Sequence, residues 1–223
     1  MAFKVIKEKV LRANDDVAVG IRALLSRKGV LMINIISSPG AGKTSFLERV
    51  GPLLRQDGVA FSIVTGDCFT TRDAERLDRL DLPVIQINTG NACHIDAQLV
   101  GRSLEGIDMD SVDLVIVENV GNLVCPAEFD LGEDMKIAFL STAEGQDKPL
   151  KYPLLIEESP LAIINKMDLA PHVDYDVDFA VKSILKTNPD SEIMKVSCKT
   201  GEGIEGFIVW IKEKIKKKKE RAI

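Results

Sequence analysis

The sequence predicts an α/β fold in which a mostly parallel sheet carries helices on both faces. Short, largely apolar runs of strand length recur along the chain, and helical patterns lie between most of them. Strands that read as nearly continuous apolar runs are buried on both faces, as in parallel sheets covered by helices. The predicted strands cover residues 30–36, 60–66, 82–88, 112–119, 161–166 and 192–197.

Helical patterns of apolar residues lie between most of the predicted strands. Residues 3 to about 26 place apolar side chains largely at three- and four-residue spacings, which predicts an amphipathic helix on the flank of the domain. These side chains are Phe3, Ile6, Val10, Val17, Ile21, Leu24 and Leu25. Further helices are predicted from about Lys43 and near 72–80, 94–104, 175–187 and 203–219. No internal repeat or Pro/Gly-rich linker is visible, so we interpret residues 1–223 as one domain.

Composition narrows the class of protein. A chain of 223 residues with 45% hydrophobic and 28% charged residues is neither disordered, collagen-like nor a polytopic membrane protein. No run approaches the roughly 20 apolar residues of a membrane helix, and charges occupy the N-terminus where a signal peptide is apolar. We therefore expect a cytoplasmic protein without a membrane partner. Four cysteines are too few and too scattered for a disulfide scaffold.

Charge is distributed unevenly. The net charge is −5, yet residues 212–221 carry seven Lys/Arg against two Glu, so the remaining 213 residues carry −10. An acidic body argues against nucleic-acid binding, which needs clustered cations on the fold itself. We interpret the basic segment as the solvated end of a helix, with salt-sensitive contact to an acidic partner as the open alternative.

A phosphate-binding loop follows the first strand. Residues 37–44 fit the pattern G-x-x-x-x-G-K-S/T, except that Ser37 replaces the first glycine. In a P-loop NTPase the backbone N–H groups of this loop surround phosphate oxygens, the lysine (Lys43) reaches the β- and γ-phosphates, and the hydroxyl (Thr44) binds magnesium. A simple glycine-rich helix cap is the alternative. The predicted nucleotide-binding residues here are Ser38, Pro39, Gly40, Ala41, Gly42, Lys43, Thr44 and Ser45.

A second motif predicts which nucleotide base the protein binds. The predicted strand 161–166 ends in Asn165 and Lys166, which with Asp168 form an N-K-x-D pattern. The Asp168 carboxylate can accept hydrogen bonds from guanine N1–H and the 2-amino group. Adenine offers neither donor, so the pattern predicts GTP and GDP as ligands. A turn with Asp168 as a helix N-cap is the alternative. After the last strand, Ser197, Cys198 and Lys199 resemble the loop that touches guanine in P-loop GTPases.

A magnesium and γ-phosphate site is predicted at the end of strand 112–119. Glu118 supplies a carboxylate and Gly121 a flexible N–H where GTPases usually carry D-x-x-G. Asp67 is a further magnesium candidate or a cap of the next helix. We thus expect Thr44, Asp67 and Glu118 near magnesium, and catalytic roles for Lys43, Glu118 and Gly121. Asn122 stands where some GTPases place a water-positioning Gln, so we expect slow hydrolysis.

A metal site is predicted beside the nucleotide. Cys93 and His94 follow one strand and Cys125 follows another, and loops at the carboxyl ends of parallel strands meet at one edge of the sheet. Two thiolates and an imidazole suit nickel or zinc and leave coordination open to a further ligand. The alternative is that the two cysteines are core residues and His94 caps a helix.

Four strings together resemble the HypB family of SIMIBI-type GTPases: residues 37–44, 87–100, 116–133 and 164–169. The resemblance covers roughly residues 30–207 and implies nickel insertion during [NiFe]-hydrogenase maturation. It also implies that Cys93, His94 and Cys125 bind the metal and that a P-loop beginning with serine is ordinary. The partners it implies are a second copy of the chain in a dimer promoted by GTP and metal, a HypA-like metallochaperone and the hydrogenase large-subunit precursor.

Some family features are absent from the sequence. Neither Cys nor His occurs before Cys68, so the N-terminal nickel-binding motif and the His-rich storage segment of some members are not present. The urease GTPase UreG is the nearest alternative, but its Cys-Pro-His motif is not matched because Ala127 follows Pro126. A small-molecule kinase or ATPase, and a regulatory GTPase with inert cysteines, are the other hypotheses.

Overall fold

A computed structural model describes the backbone of residues 2–90 and 92–222 and the side chains of residues 12–90 and 92–222. The strands are β1 (Leu31–Ser37), β2 (Phe61–Asp67), β3 (Val84–Asn88), β4 (Leu114–Glu118), β5 (Met135–Ser141), β6 (Leu161–Asn165) and β7 (Glu192–Lys195). The helices are α1 (Ala2–Lys28), α2 (Lys43–Gln56), α3 (Arg72–Asp78), α4 (Ala97–Leu104), α5 (Cys125–Glu128), α6 (Lys148–Lys151), α7 (Pro153–Glu157), α8 (Val177–Thr187) and α9 (Ile204–Glu220). A 3₁₀ helix covers Met167–His172.

The strands form one sheet in the order β3-β2-β4-β1-β5-β6-β7, and each neighbouring pair is parallel. The predicted fold class is therefore confirmed. Because all strands point the same way, the loops that follow them gather at one edge of the sheet.

Alternation along β1 shows how the two faces are covered. Ile33 and Ile35 pack with α2 and α9 on one face, whereas Met32 packs with α1 and α4 on the other. Farther along this second face, Ile36 packs with α7 and α8. Every β1 side chain is buried, as expected for a central strand covered by helices on both sides.

Strand β5, which lies between β1 and β6 in the middle of the sheet, was not predicted. Lys136 interrupts its apolar run after one residue, and acidic residues precede it, so the segment does not read as a buried strand. The structure accommodates the lysine at 9% exposure, because its ammonium donates to Ala127 O at 2.6 Å and forms an ion pair with Glu158.

Some helices differ from those predicted in their bounds or were not predicted at all. The helix predicted near 94–104 begins at Ala97, because Asp96 is its N-cap and accepts a hydrogen bond from Leu99 N at 2.8 Å. Helix α1 contains the predicted N-terminal helix, and Ile21 and Leu25 are buried on it. The predicted apolar contacts of Phe3, Ile6 and Val10 lie outside the described side chains. The short helices α5, α6 and α7 were not predicted.

The basic end of α9 contacts the acidic body. Lys218 pairs with Asp134 at 2.6 Å and Lys219 with Asp113 at 2.5 Å, while Lys212 reaches Asp57 at 2.7 Å. Helix α9 extends through this segment to Glu220, and much of its charge is compensated within the chain. Among the described residues, no helix is both long and apolar enough to cross a membrane.

Candidate nucleotide and metal site

The phosphate loop joins the buried strand β1 to α2. Gly40 and Gly42 take left-handed conformations, with φ of 76° and 102°. A Cβ at Gly42 would also lie 2.5 Å from Asn165 Nδ2, so both conformation and space require glycine there. Helix α2 begins at Lys43, and this strand-loop-helix context is the one that a phosphate-binding loop requires.

Lys43 is enclosed at the base of this loop. Its Nζ donates a hydrogen bond to Ser37 Oγ at 2.8 Å. Burial lowers the pKa of Lys43, and the nearby Glu118 carboxylate partly opposes that shift. Ser37, the residue that replaces the first glycine of the motif, therefore holds the lysine that would meet the phosphates.

A carboxylate and a hydroxyl meet beside Lys43. Thr44 Oγ1 donates to Glu118 Oε1 at 2.8 Å, whereas Glu118 Oε2 is buried without a hydrogen-bond partner. Burial raises the pKa of Glu118 from its ordinary 4.5 to about 7, against the lowering effects of Lys43 and Thr44. A magnesium ion fits this corner, because hard cations take oxygen ligands and would satisfy the second carboxylate oxygen.

Asp67 lines the same cleft, which has a volume of about 600 Å³. Its Oδ1 accepts hydrogen bonds from Phe69 N at 2.8 Å and Thr70 N at 2.6 Å. The alternative that Asp67 caps the following helix is wrong, since Thr71 is the N-cap of α3. Asp67 instead shapes the turn that faces the phosphate loop.

Gly121 contacts the phosphate loop directly. A Cβ at this position would lie 2.9 Å from both Cα and N of Pro39, so only glycine fits without displacing the loop. The next residue, Asn122, donates from Nδ2 to Cys93 O at 3.3 Å. The side chain that we compared with a water-positioning Gln therefore contacts the predicted metal loop.

Five of the six predicted guanine-contacting residues line a second cleft of about 670 Å³, whereas Ser197 is fully buried. Asp168 Oδ1 accepts a hydrogen bond from Ser197 Oγ at 2.6 Å. Asn165 joins two loops, because its Nδ2 donates to Ala41 O at 2.9 Å and its Oδ1 accepts from Cys198 N at 3.2 Å. The alternative that Asp168 caps a helix is wrong, since the N-cap of the 3₁₀ helix is Lys166, which has a φ of 61°.

Two arginines that the sequence analysis missed support the nucleotide clefts. Arg49 donates to Cys198 O at 2.8 Å and Lys199 O at 2.9 Å, which fixes the last loop. Arg76 lines both clefts and binds Glu48 through two nitrogens, at 2.9 and 2.7 Å. This hydrogen bonding to Glu48 raises the pKa of Arg76. Neither arginine belongs to a short motif, so no local signal marks them.

Cys93, His94 and Cys125 form one cluster in which the ligand atoms lie within 4.8 Å of one another. The Sγ atoms of the two cysteines are 3.0 Å apart, and Cys93 Sγ lies 3.8 Å from His94 Nδ1. The His94 ring also packs against Phe129, with centroids 3.9 Å apart. The alternative is wrong in each part: Cys93 is exposed, Cys125 is half-buried, and Asp96 rather than His94 caps α4.

The pKa shifts in the cluster act in opposite directions on metal binding. A hydrogen bond with Cys125 raises the pKa of Cys93, with burial adding to it, and burial lowers the pKa of His94. His94 is thus favoured in the neutral form that binds metals, whereas the cysteines must lose protons on binding. The other described thiols lie outside the cluster. Burial raises the pKa of Cys198 to about 11, and this thiol lies in the predicted guanine-contacting loop.

Comparison with known families agrees with this geometry. Residues 31–195 match the family model described as "CobW/HypB/UreG, nucleotide-binding domain". Hydrogenase maturation factor HypB of Rhizobium leguminosarum bv. viciae is 44% identical over 206 residues, which span 92% of this chain and 69% of that protein. The chain belongs to the HypB family. A probable HypB of Methanocaldococcus jannaschii is 38% identical over 96% of both chains.

Solved HypB structures share the whole architecture. HypB from Helicobacter pylori in complex with nickel superimposes with a TM-score of 0.87 at 34% identity, over 92% of this chain and 96% of that one. HypB from Archaeoglobus fulgidus gives 0.85 at 33% identity, over 92% and 100%. An LAO/AO transport system kinase, at 19% identity and a TM-score of 0.58, shares the fold alone.

Proposed function

We propose that this HypB-family protein is a GTP-hydrolysing metallochaperone that delivers nickel during [NiFe]-hydrogenase maturation. The observation that carries the proposal is the single loop after β4. Gly121 abuts the phosphate loop, and Cys125 joins Cys93 and His94 only four residues later. The nickel-bound relative supports nickel as the cargo, and the names of the curated relatives support hydrogenase maturation as the process. Zinc satisfies the same ligands and is the competing ion.

Hydrolysis in this proposal depends mainly on charge stabilisation. Lys43 stabilises negative charge on the transferred phosphoryl group, and water is its acceptor. Magnesium, held by Thr44 and Glu118 with Asp67 nearby, would supply further positive charge at the β- and γ-phosphates. Because Asn122 donates to Cys93 O, it does not replace a water-positioning Gln, and this supports slow turnover.

Loss of the γ-phosphate changes the metal site through the same loop. Gly121 loses its phosphate contact when GTP becomes GDP, and the backbone that leads to Cys125 relaxes with it. The reciprocal effect follows from linkage: nickel that prefers one nucleotide state changes the affinity for that nucleotide by the same factor. We further propose the cytoplasm as the compartment and three partners: a second copy of the chain, a HypA-like metallochaperone and the hydrogenase large-subunit precursor.

Nickel titration tests the proposal. Nickel affinity is measured with GDP and with a non-hydrolysable GTP analogue, in the unchanged protein and in Cys93→Ser, Cys125→Ser and the control Cys68→Ser, with molecular mass recorded in each state. We expect the first two variants to lose affinity by about 100-fold or more, corresponding to about 2.7 kcal/mol, and Cys68→Ser to lose little. Unchanged affinity in Cys93→Ser and Cys125→Ser would exclude the metallochaperone and favour a regulatory GTPase.

A further inference from the structure

A buried amide, Asn119, lies between the nucleotide and metal sites. It follows Glu118 at the end of β4 and is 2% exposed. Its Oδ1 accepts hydrogen bonds from Ile95 N at 3.1 Å and from Val120 N at 2.9 Å. Ile95 directly follows His94, and Val120 directly precedes Gly121. One oxygen therefore binds the backbone of two loops: the metal loop (residues 93–95) and the phosphate-sensing loop (residues 120–121).

The other end of this amide is anchored in the sheet. Asn119 Nδ2 donates to Asn34 Oδ1 at 3.2 Å, and Asn34 Nδ2 donates to Glu133 Oε1 at 3.1 Å. The second Glu133 oxygen accepts from Leu131 N at 2.6 Å. Asn34 lies on the central strand β1 and is fully buried. This anchoring orients the Asn119 oxygen toward Ile95, and a satisfied buried network of this kind is rigid.

Packing leaves little space for the two loops to move separately. A Cβ at Gly66 of β2 would lie 2.5 Å from Ile95 Cδ1 and 3.4 Å from Val120 Cγ2, so both side chains lie over the same glycine. Ile95 is fully buried. A displacement of Val120 therefore alters the packing and the hydrogen bond of Ile95 together.

We propose that Asn119 is a positioning residue that transmits the nucleotide state to the metal loop of Cys93 and His94. This inference rests on the proposed function and adds a second connection, separate from the chain path between Gly121 and Cys125. When the phosphate-sensing loop moves, the Asn119 oxygen keeps its hydrogen bonds to Val120 N and Ile95 N only if residues 93–95 move with it. A buried N–H left without an acceptor is costly, and this cost links the two movements.

The test compares Asn119→Ala with a matched control, Asn188→Ala. Asn188 also donates to backbone carbonyls, Ile156 O, Glu157 O and Ser159 O, at 3.0, 3.2 and 3.1 Å, but it lies at the end of α8 away from both sites. The measured quantity is the ratio of nickel dissociation constants with GDP and with a non-hydrolysable GTP analogue. Such couplings are typically about 5- to 150-fold.

We expect Asn119→Ala to reduce this ratio to within about twofold of one while thiolate-to-nickel absorption shows that the ion still binds. Asn188→Ala should lower stability and leave the ratio unchanged. Asn119→Asp, which retains the oxygen that accepts from Ile95, should preserve more of the ratio than the alanine variant does. A folded Asn119→Ala protein with the unchanged ratio would overturn the inference and leave the proposed function intact.

Measurements on the unchanged protein cover the case in which Asn119→Ala does not fold. Hydrogen exchange of the Ile95 amide should differ between the GDP and GTP-analogue states, and identical protection would overturn the inference. A ratio of one in the unchanged protein would reject both this inference and the coupling on which the proposed function depends.

Discussion

Asp168 is the residue on which base selection depends. Its carboxylate is oriented by Ser197 and lines the base cleft. We expect Asp168→Asn to weaken GTP binding by about 100-fold or more, since two charge-assisted hydrogen bonds are lost, and to favour xanthosine triphosphate. Asp178→Asn on the exposed side of α8 is the control. Wild-type GTP affinity in Asp168→Asn, measured by nucleotide competition, would exclude guanine selection by this carboxylate and leave room for the kinase or ATPase hypothesis.

Glu118 gives the nucleotide-free protein a pH-dependent stability. Its pKa is raised by burial to about 7, so the folded state binds a proton that the unfolded state releases near 4.5. The free energy of unfolding attributable to Glu118 therefore falls as pH rises from about 4.5 to 7, by up to about 3 kcal/mol, and is constant above that window.

Replacing this carboxylate separates its contribution from those of other groups. In urea titrations at a series of pH values, the stability difference between Glu118→Gln and the unchanged protein should grow in favour of the variant from pH 4.5 to 7. A constant difference across this window would show that Glu118 titrates normally. Magnesium with GTP should weaken the dependence, because cation binding favours the ionised carboxylate.

At the residue scale, the groups predicted from the sequence are those that occur in short motifs. Lys43, Asp168 and the three predicted metal ligands all lie where strand ends place them. Arg76 was not predicted, because this side chain reaches the clefts from a helix without a motif. The hydrogen-bond network of Asn119 was not predicted either, since a buried amide network depends on which strands are neighbours.

The loop after β4 depends on a glycine as much as on its polar groups. We expect Gly121→Ala to displace Pro39 and weaken binding of a GTP analogue about tenfold or more, corresponding to at least 1.4 kcal/mol. Gly206→Ala is the matched control, because no atom lies within 4 Å of the added methyl group and alanine stabilises a helix by roughly 0.5–1 kcal/mol. Equal nucleotide affinity of the two variants in calorimetry would contradict the close contact.

Helix α9 is attached to the body through Lys218, whose pair with Asp134 is 11% and 19% exposed. We expect Lys218→Ala to lower the free energy of unfolding by about 1–2 kcal/mol, because Asp134 loses a partly buried partner. Lys216→Ala is the control, since Lys216 is 78% exposed and its contact with Glu220 is 4.0 Å long, so an effect near zero is expected. Urea unfolding that shows equal stability for both variants would contradict the attachment.

Strand β5 shows where element prediction failed. Its neighbours β1 and β6 were predicted because no charged residue interrupts them, whereas Lys136 follows the first residue of β5. The lysine is tolerated because Ala127 O and Glu158 compensate its charge, and both partners are distant in sequence. A tertiary contact of this kind leaves no trace in local periodicity.

At the scale of the whole molecule, the fold class was predictable because a parallel sheet with two covered faces imposes the same apolar pattern on most of its strands. The common location of the motifs was predictable too, since every motif follows a strand. The order of the strands was not predicted. That order places β4 between β1 and β2, and so brings Glu118 beside the phosphate loop.

The opposite edge of the sheet offers a practical opportunity. Gly29, just before β1, lies close to Ala222 near the end of α9, with 3.2 Å between Ala222 Cβ and a Cβ built at the glycine. Both positions are at the amino ends of the strands, opposite the edge that carries the phosphate loop and the cysteine–histidine cluster. A dye or a surface tether attached near Ala222 would leave the nucleotide clefts and the metal cluster accessible, so nucleotide exchange and metal transfer could be followed on immobilised protein.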